Sequence, residues 1–349
     1  MDRWQNRRAH GPTVPGVHGW RPSPVARTVW PVSPPTVVTI GTFDGVHSGH
    51  AALIRRARQF AGPDGQVVAM AFDPHPASVL RPSTAPGRLT TLPERSRLLR
   101  AAGADAVERL EPTPELLGLS PDQFIERVLR DHHPVAFVEG PDFRFGHARA
   151  GSVQTLAEIA SRRGARVEVV PPVEAALEDQ TLVTCSSTIT RWLLERGRVS
   201  DAARVLGRPY ELCGGVVRGD RRGREIGFPT ANLDTPLLLP ADGVYAGVAT
   251  LEDRRSFPAA VHIGPRATFN DARPTVEAHI LAWSGPIAEG GPEYGWPLRL
   301  SLIAWLRGQA RFESVPALVA QIERDVARTR EVLADAQAPL PVAMQEASA

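Results

Sequence analysis

Lysine is absent from the sequence, so all 40 basic residues are arginine. Any phosphate this chain handles must be held by arginine, histidine, backbone N–H groups or a metal, never by a P-loop lysine. Cysteine is nearly as scarce, and Cys185 and Cys213 stand far apart with no C-x-x-C pair. Neither a disulfide framework nor a structural zinc site is expected from such spacing, and each cysteine reads as a small core residue. No run reaches the roughly 20 apolar residues of a membrane span. A formal charge of +2 is close to balance and points to no nucleic-acid surface and no polybasic membrane patch. The start of the chain is rich in Pro and Arg but lacks the continuous apolar stretch of a secretory signal, so the expected location is cytoplasmic.

What is present suggests two domains. A length of 349 residues with 42% hydrophobic composition can fill two cores. Residues 1–35 alternate Pro, Gly, Arg and Trp without a period and read as a disordered extension; residues 337–349 read as a disordered tail. From Val37 onward, apolar runs (TVVTIG, QVVAMAF, DAVERL, PVAFVEG, ARVEVV) alternate with helical stretches. Helix starts carry their own signals: Ser120 as N-cap with Pro121 and Gln123 behind it, and the same device at Thr91 and Glu94. Strands separated by helices imply right-handed crossovers and a parallel sheet covered on both faces.

Near Arg208 the grammar changes. YELCGGVVRG, GVYAGVAT, PAAVHIG, PTVEAHILAW and LRLSLIAWL are short strands separated by Gly/Pro turns, with no helix between them. That pattern predicts a small antiparallel barrel. A closing helix over residues 314–334 places Leu318, Val319, Ile322, Val326 and Leu333 on one stripe, expected to pack against the barrel as core. The expected domains are residues 36–200 and 201–336.

The most informative stretch is TVVTIGTFDGVHSGHAALIRRA, residues 36–57. A strand ends at Gly41, and a glycine-rich turn hands over to a helix with Leu53, Ile54 and Ala57 on one face and Arg55, Arg56 and Arg58 largely on the other. Backbone N–H groups at such a helix start are unpaired and the dipole is positive, which favours anions. Gly45 and Gly49 let a ligand approach the backbone, and His47 and His50 could donate to phosphate oxygens. The competing reading is a capped helix with two surface histidines; the strand, Asp-Gly turn and helix in register favour the anion site. Asp73, His75, His132 and His133 could be imagined as a metal cluster, but their spacing fits no metal template.

The segment GTFDGVHSGH resembles the HxGH signature of nucleotidyltransferases, and in its FDGVHxGH form it is similar to bacterial bifunctional riboflavin kinase/FAD synthetases. AFDPHP (71–76), GPDFRFG (140–146) and Ser186, Ser187, Thr188 and Arg191 match further segments of that family in order. VVRGDRRGREIGFPTANL (216–233), then LPADGVYAG, TVEAHIL and the C-terminal helix, resemble its kinase half. The resemblance covers residues 36–335. It implies a Rossmann-like nucleotidyltransferase domain followed by a six-stranded Greek-key β-barrel with a closing helix. It also implies two ATP-dependent reactions, riboflavin to FMN and FMN to FAD, with Mg²⁺ as cofactor and small molecules as the only partners of a monomer or weak homo-oligomer.

The resemblance implies residue roles as well. His47 and His50 contact ATP phosphates, with Gly41, Phe43, Asp44 and Gly49 in the same nucleotide and FMN set. Ser187, Thr188 and Arg191 close from the far side, while Asp142 and Phe143 belong to the flavin-side loop. In the second half Thr230 and Asn232 are oxygen ligands for Mg²⁺. Glu277 is the general base, in a strand where a carboxylate facing the barrel core would be costly unless used; an outward-facing position is the alternative. Gly219, Gly223, Gly227 and Pro229 form a loop expected to fold over the nucleotide. Residues 264–270 (GPRATFN) depart from the family's GTNPTF-like run, because Pro265 removes a backbone donor and Ala267 stands where the family has proline. This departure makes the kinase half the candidate for lost activity, a second reading. A third is a flavin sensor without turnover, against which the presence of both histidines, both metal-ligand candidates and the candidate base weighs.

Overall fold

Five short apolar runs form β1 (Thr36–Gly41), β2 (Gln66–Phe72), β3 (Ala106–Leu110), β4 (Ala136–Glu139) and β5 (Arg166–Val169) in the computed structural model. The structure describes residues 34–219, 221–265, 274–283 and 293–335. The expected N-terminal extension up to residue 33, residues 266–270 of the altered run and the expected tail from residue 337 lie outside them. The five strands pair in parallel in the order β3-β2-β1-β4-β5. Between them run α1 (Ser48–Ala61), α2 (Pro76–Leu80), α3 (Leu92–Ala101), α4 (Pro114–Gly118), α5 (Pro121–His132) and α6 (Val153–Ser161).

Successive strand residues face opposite layers. Val37, Val67, Ala69 and Val138 pack with Ile54, Ala57 and Leu99, from α1 and α3. Val38, Ile40, Val68 and Phe137 pack with Ile125, Val128, Leu156 and Ile159, from α5 and α6. Strand order reverses between β1 and β4, the switch point where ligands of open α/β sheets enter.

Helix signals hold unevenly. Ser120 and Gln123 form the full reciprocal capping box of α5. Thr91 accepts from the Glu94 N–H, but the Glu94 carboxylate does not return the bond and instead holds Arg97 and Arg299. Arg58 is not on the solvent face. It donates to the carbonyls of Gly62, Gly65 and Gly103 and pairs with Asp105, closing the C-terminus of α1 where a cation is favoured.

A hairpin of β6 (Glu174–Ala176) and β7 (Leu182–Thr184) precedes α7 (Ser187–Leu194) and α8 (Val199–Leu206). Then β8 (Tyr210–Val217), β9 (Ala231–Asp234), β10 (Gly243–Leu251), β11 (Ser256–Pro265), β12 (Pro274–Ile280) and β13 (Pro297–Arg307) close a barrel in the order β10-β11-β12-β9-β8-β13. Every neighbouring pair is antiparallel. Strands β10 to β12 follow one another while β9 lies beside β12, which is a Greek key. Contrary to the expectation of no helix between barrel strands, the single turn α9 (Arg222–Glu225) precedes β9. The expected domain boundary at 200/201 falls inside α8, whose Val199, Ala202, Val205 and Leu206 share one core with Tyr210, Leu212, Tyr245 and Leu302 of the barrel.

The closing helix, α10 (Val315–Asp335), differs from its expected packing. Of the five stripe residues only Val326 is buried, while Leu318, Val319, Ile322 and Leu333 are half-buried. An ion pair supplies what the apolar face does not. Arg307, on β13, donates to both Asp325 oxygens over 2.7–3.1 Å, and Gln321 donates to the same carboxylate at 2.9 Å. Removing one partner of a fully buried pair costs about 3–5 kcal/mol and of an exposed pair about 0–1 kcal/mol. Asp325→Ala is therefore expected to lose about 2 kcal/mol, read from the urea midpoint of barrel unfolding. Leu333→Ala should cost less.

Candidate functional sites

The first site forms where β1 meets α1 through a turn of unusual backbone. Phe43 and Val46 have φ of +49° and +41° and Gly45 has +82°. For a β-branched residue such as Val46 this is a strained conformation that persists only where its surroundings fix it. The surroundings do so from four directions. Asp44, 4% exposed, accepts from the N–H groups of Leu89 and Thr90, the Thr90 hydroxyl, Arg95 and Arg191. Thr90 Oγ1 accepts from the Gly45 N–H at 3.0 Å. Ser187 Oγ donates to the Asp44 carbonyl at 2.7 Å. Arg208 donates to the carbonyls of Gly45 and Val46 at 2.7 and 3.0 Å. Gly41 passes under the Phe43 ring, where a Cβ would stand 3.2 Å from Cζ; at Gly49 a Cβ would stand 3.0 Å from His47 Nδ1.

This frame presents the two histidines together. His47 is the N-cap residue of α1 but makes no side-chain cap bond. Its ring stacks on His50 with centroids 3.6 Å apart, and Phe43 meets His50 edge-on. The Nδ1 atoms of both are buried without a partner among the described residues. An unpaired buried ring nitrogen costs free energy unless a ligand completes it. Burial, then the charges of Arg208 and Arg191, pushes His47 down to about 4. Burial, then His47, Arg95 and Arg208, holds His50 well below the ordinary histidine range. Both rings are thus neutral near pH 7 before a ligand arrives, at a helix start that favours anions.

The other predicted residues of this half divide in two. Ser187 and Arg191 meet the turn: Arg191 gives Nη2 to Asp44 at 2.6 Å and Nε to the Gly87 carbonyl at 2.7 Å, so both of these donors are engaged within the protein. Ser186 is the N-cap of α7, and Thr188 is exposed in its first turn. Asp142 is exposed, and half-buried Phe143 stacks on Phe145 at 5.3 Å. Next to Asp44 and Arg95 a cleft opens, lined by Thr42, Phe72, Pro74, His75 and Arg88. His75 does not join a metal cluster: its Nδ1 accepts from the Ala77 N–H and caps α2, while His132 pairs with Glu108.

The second site is on the barrel. Register places Asn232 and His262 directly beside Glu277, on β9 and β11 respectively. Val276, Ala278 and Ile280 enter the core, so Glu277 projects from the opposite face. The argument from a carboxylate facing the core therefore fails, and the outward alternative holds. Asn232 lies on that outer face yet is 8% exposed, because the segment after β8 covers it: a Cβ on Gly219 would stand 2.2 Å from its Nδ2. Its Oδ1 is buried without a partner among the described residues. Thr230 is exposed. A Cβ on Gly223 would stand 2.2 Å from the Phe228 carbonyl, and Gly227 has φ of +88°. Pro229 gives its carbonyl to the His279 ring at 2.9 Å. An orphaned amide oxygen, a hydroxyl and a carboxylate on one face form a hard-oxygen donor set suited to Mg²⁺. Among the described residues no group of three His, Cys, Asp or Glu could hold a metal alone.

Three neighbours escaped the sequence reading. Arg208 enters the sequence reading only as a boundary marker, although a half-buried guanidinium on two backbone carbonyls is a positioning device. Arg95 lies in an ordinary helical run. His262 becomes visible only when the strand register opposite Glu277 is known.

Comparison with known proteins matches a different family model to each half of the chain. A family model described as FAD synthetase matches residues 31–186, and one described as riboflavin kinase matches residues 206–333. A bifunctional riboflavin kinase/FMN adenylyltransferase of Listeria monocytogenes is 34% identical over 303 residues, covering 85% of this chain and 92% of that protein. A protein of the same name from Escherichia coli is 34% identical over 304 residues, covering 84% and 92%. A solved structure of a macrolide-efflux protein from Streptococcus pneumoniae superposes with a TM-score of 0.73 at 30% identity, covering 85% of this chain and 94% of that one.

The depressed His47 has a thermodynamic signature. A histidine near 6.5 in the unfolded chain and about 4 in the fold binds fewer protons when folded, so it subtracts stability progressively as pH falls through that window. His47→Asn should lose less stability than the parent between pH 6.5 and 4.5 in paired denaturation curves. Parallel curves would contradict the buried neutral state.

Proposed function

The chain belongs to the bifunctional riboflavin kinase/FMN adenylyltransferase family, and from that premise we propose how its two halves divide the work. The function is flavin cofactor synthesis: ATP-dependent phosphorylation of riboflavin to FMN, then adenylylation of FMN to FAD. We assign the second reaction to residues 36–200 and the first to residues 201–336. The observation that carries the assignment is that two clusters stand on different architectures. The histidine pair occupies the switch point of an open sheet, and Glu277 with Asn232 occupies the outer face of a barrel.

On the barrel, Glu277 accepts the proton of the ribityl 5′-hydroxyl as its oxygen bonds to the γ-phosphorus of ATP and ADP departs. Thr230 and Asn232 would hold Mg²⁺, an ion that neutralises phosphate charge when bound; the orphaned Asn232 Oδ1 supports this. The loop with Gly219, Gly223, Gly227 and Pro229 covers the nucleotide. At the switch point an FMN phosphate oxygen bonds to the α-phosphorus of ATP and pyrophosphate departs. Such transfers need positioning and charge stabilisation above all. His47 and His50 donate to phosphate oxygens as negative charge moves onto the leaving group. The N-terminus of α7, with Ser187 and Thr188, faces the same phosphates, and Arg191 adds positive charge. Gly41, Phe43 and Gly49 let the nucleotide approach, Asp44 holds the turn, and Asp142 and Phe143 border the flavin.

A cytoplasmic location fits this reading, since both reactions consume ATP, and the assembly proposed is a monomer or weak homo-oligomer. The described residues lend no support to transport, because no helix among them is long and apolar enough to cross a membrane.

Chromatography of flavins after incubation with riboflavin, ATP and Mg²⁺ should show FMN and then FAD. Glu277→Gln should cut FMN formation by about 10²–10⁴-fold, as loss of a general base does, while FAD formation from supplied FMN persists. His50→Ala should do the opposite. Both activities falling together in either variant would refute the division into two sites.

A further inference from the structure

The adenylyl-transfer turn is held in part by a residue from outside its own half. Residues 43–46 combine three left-handed backbone conformations, two of them at non-glycine positions, each of which costs on the order of 1–3 kcal/mol and needs external support. The supports from Thr90, Asp44 and Ser187 all come from the first half. Arg208 does not. It stands at the junction between α8 and β8, within the span matched by the riboflavin kinase model. Gly207, at φ +74°, turns the chain there, and a Cβ on it would stand 3.1 Å from Ser48 Oγ at the start of α1. The junction is thus pressed against the turn that carries the histidines.

The chemistry of Arg208 is that of a clamp. One guanidinium donates through Nη2 to the Gly45 carbonyl and through Nη1 to the Val46 carbonyl, with a longer Nη1 contact to the Leu206 carbonyl. Its Nε is buried without a partner among the described residues. No carboxylate lies within ion-pair distance of it among the described residues, where every ion pair found involves other groups. Half-burying a cation against neutral carbonyls, with Glu211 and Glu94 near enough to act on it only through space, adds little stability by itself. It is an effective way to fix two consecutive peptide planes, because the planar fork offers donors at a set spacing that an ammonium cannot reproduce.

We propose that Arg208 is a positioning residue of FMN adenylylation: by clamping the Gly45 and Val46 carbonyls it sets the turn that aims His47 and His50 at the ATP phosphates. The chain segment that opens the kinase half thereby completes the adenylyltransferase site. This inference rests on the assignment of the histidine turn to adenylyl transfer, which His50→Ala tests separately: if that variant makes FAD at the parent rate, the assignment fails whatever Arg208 does.

The test uses the full chain with two variants. Arg208→Lys keeps the cation and removes the fork; Arg208→Gln removes the charge. Both should lower kcat for FAD formation from supplied FMN by tenfold or more, since a displacement of about 1 Å in a reacting constellation can cost about 10²-fold. Riboflavin phosphorylation should stay within twofold of the parent, which also shows that the variants fold. Histidine NMR on the ligand-free protein gives an independent readout. His47 is faced by Arg208 at the junction, Arg191 on α7 and His50 on α1, with Arg95 on α3 facing the His50 ring. Its midpoint should rise in Arg208→Gln, which loses a neighbouring cation, and stay near the parent value in Arg208→Lys. If Arg208→Gln does not fold, Arg208→Lys decides alone. Parent-like FAD formation by Arg208→Lys would overturn the proposal, because the fork would then be dispensable. So would an equal fall of both activities, which marks a general structural role, or a loss confined to KM for ATP, which marks a simple binding contact.

Discussion

The carboxylate of Asp44 is the interaction on which the first site depends. It is buried in the middle of a turn that a free chain would rarely adopt, and it accepts from two backbone N–H groups, one hydroxyl and two arginines. Those donors belong to the loop before α3, to α3 itself and to α7, the last far from the others in sequence. A carboxylate accepts through two oxygens with about four lone-pair sites, so Asp44 has little capacity left for a ligand. Its part is to fix the places of Arg95, Arg191 and the Leu89–Thr90 backbone relative to the histidines. The charge balance follows from the same contact. Arg191 links this contact to the histidines: after burial, the charges of Arg208 and then Arg191 hold His47 down to about 4.

A lysine-free chain builds this site from directional donors. Arg95 reaches the carbonyls of Phe72 and Thr90, Arg191 the carbonyl of Gly87, and Arg208 those of Gly45 and Val46. Each guanidinium uses some donors on the backbone and so orders the loops at the mouth of the sheet. The same device joins the first half to the barrel elsewhere. Glu94 of α3 and Glu211 of β8 share Arg97 and Arg299, and although burial pushes Glu94 upward, donors from Arg299 and Arg97 hold it at about 2. Contacts of this kind are worth little on an open surface. Half-buried between two packed layers they fix orientation.

The strand and helix alternation was legible in the sequence because it follows from apolar period and turn chemistry, which are local. The five parallel strands, the switch to a barrel and the caps at Ser120 and Thr91 were all readable for that reason. The failures came where a distant partner decides. Arg58 looked solvent-facing on its helix, but the carbonyl of Gly103 and the carboxylate of Asp105 claim it. The stripe on α10 looked like core, but the ion pair of Asp325 with Arg307 fixes the helix and leaves most of that stripe half-covered. Strand β9 was hidden in a glycine-rich segment because only four of its residues pair. Motif matching singled out His47, His50, Asn232 and Glu277, while the places of Arg208 and His262 beside them depend on contacts that no local pattern encodes.

Glu139 shows how the sheet opens at the switch point. Strands β1 and β4 pair at Val37 with Ala136 and at Val38 with Phe137. Beyond that register the two strands serve different loops, and the Ile40 N–H donates to Glu139 Oε1 at 2.7 Å. A backbone donor left unpaired there would carry the full cost of burial. Glu139 is 2% exposed, and burial pushes its carboxyl well above the ordinary range, with the Ile40 N–H opposing. Burial thus favours the uncharged form of the acid that accepts from this otherwise orphaned donor. The same logic selects neutral histidines above it. At the crevice, the negative charge of Asp44 is matched by Arg95 and Arg191, while the Nδ1 atoms of His47 and His50 stay without a partner among the described residues.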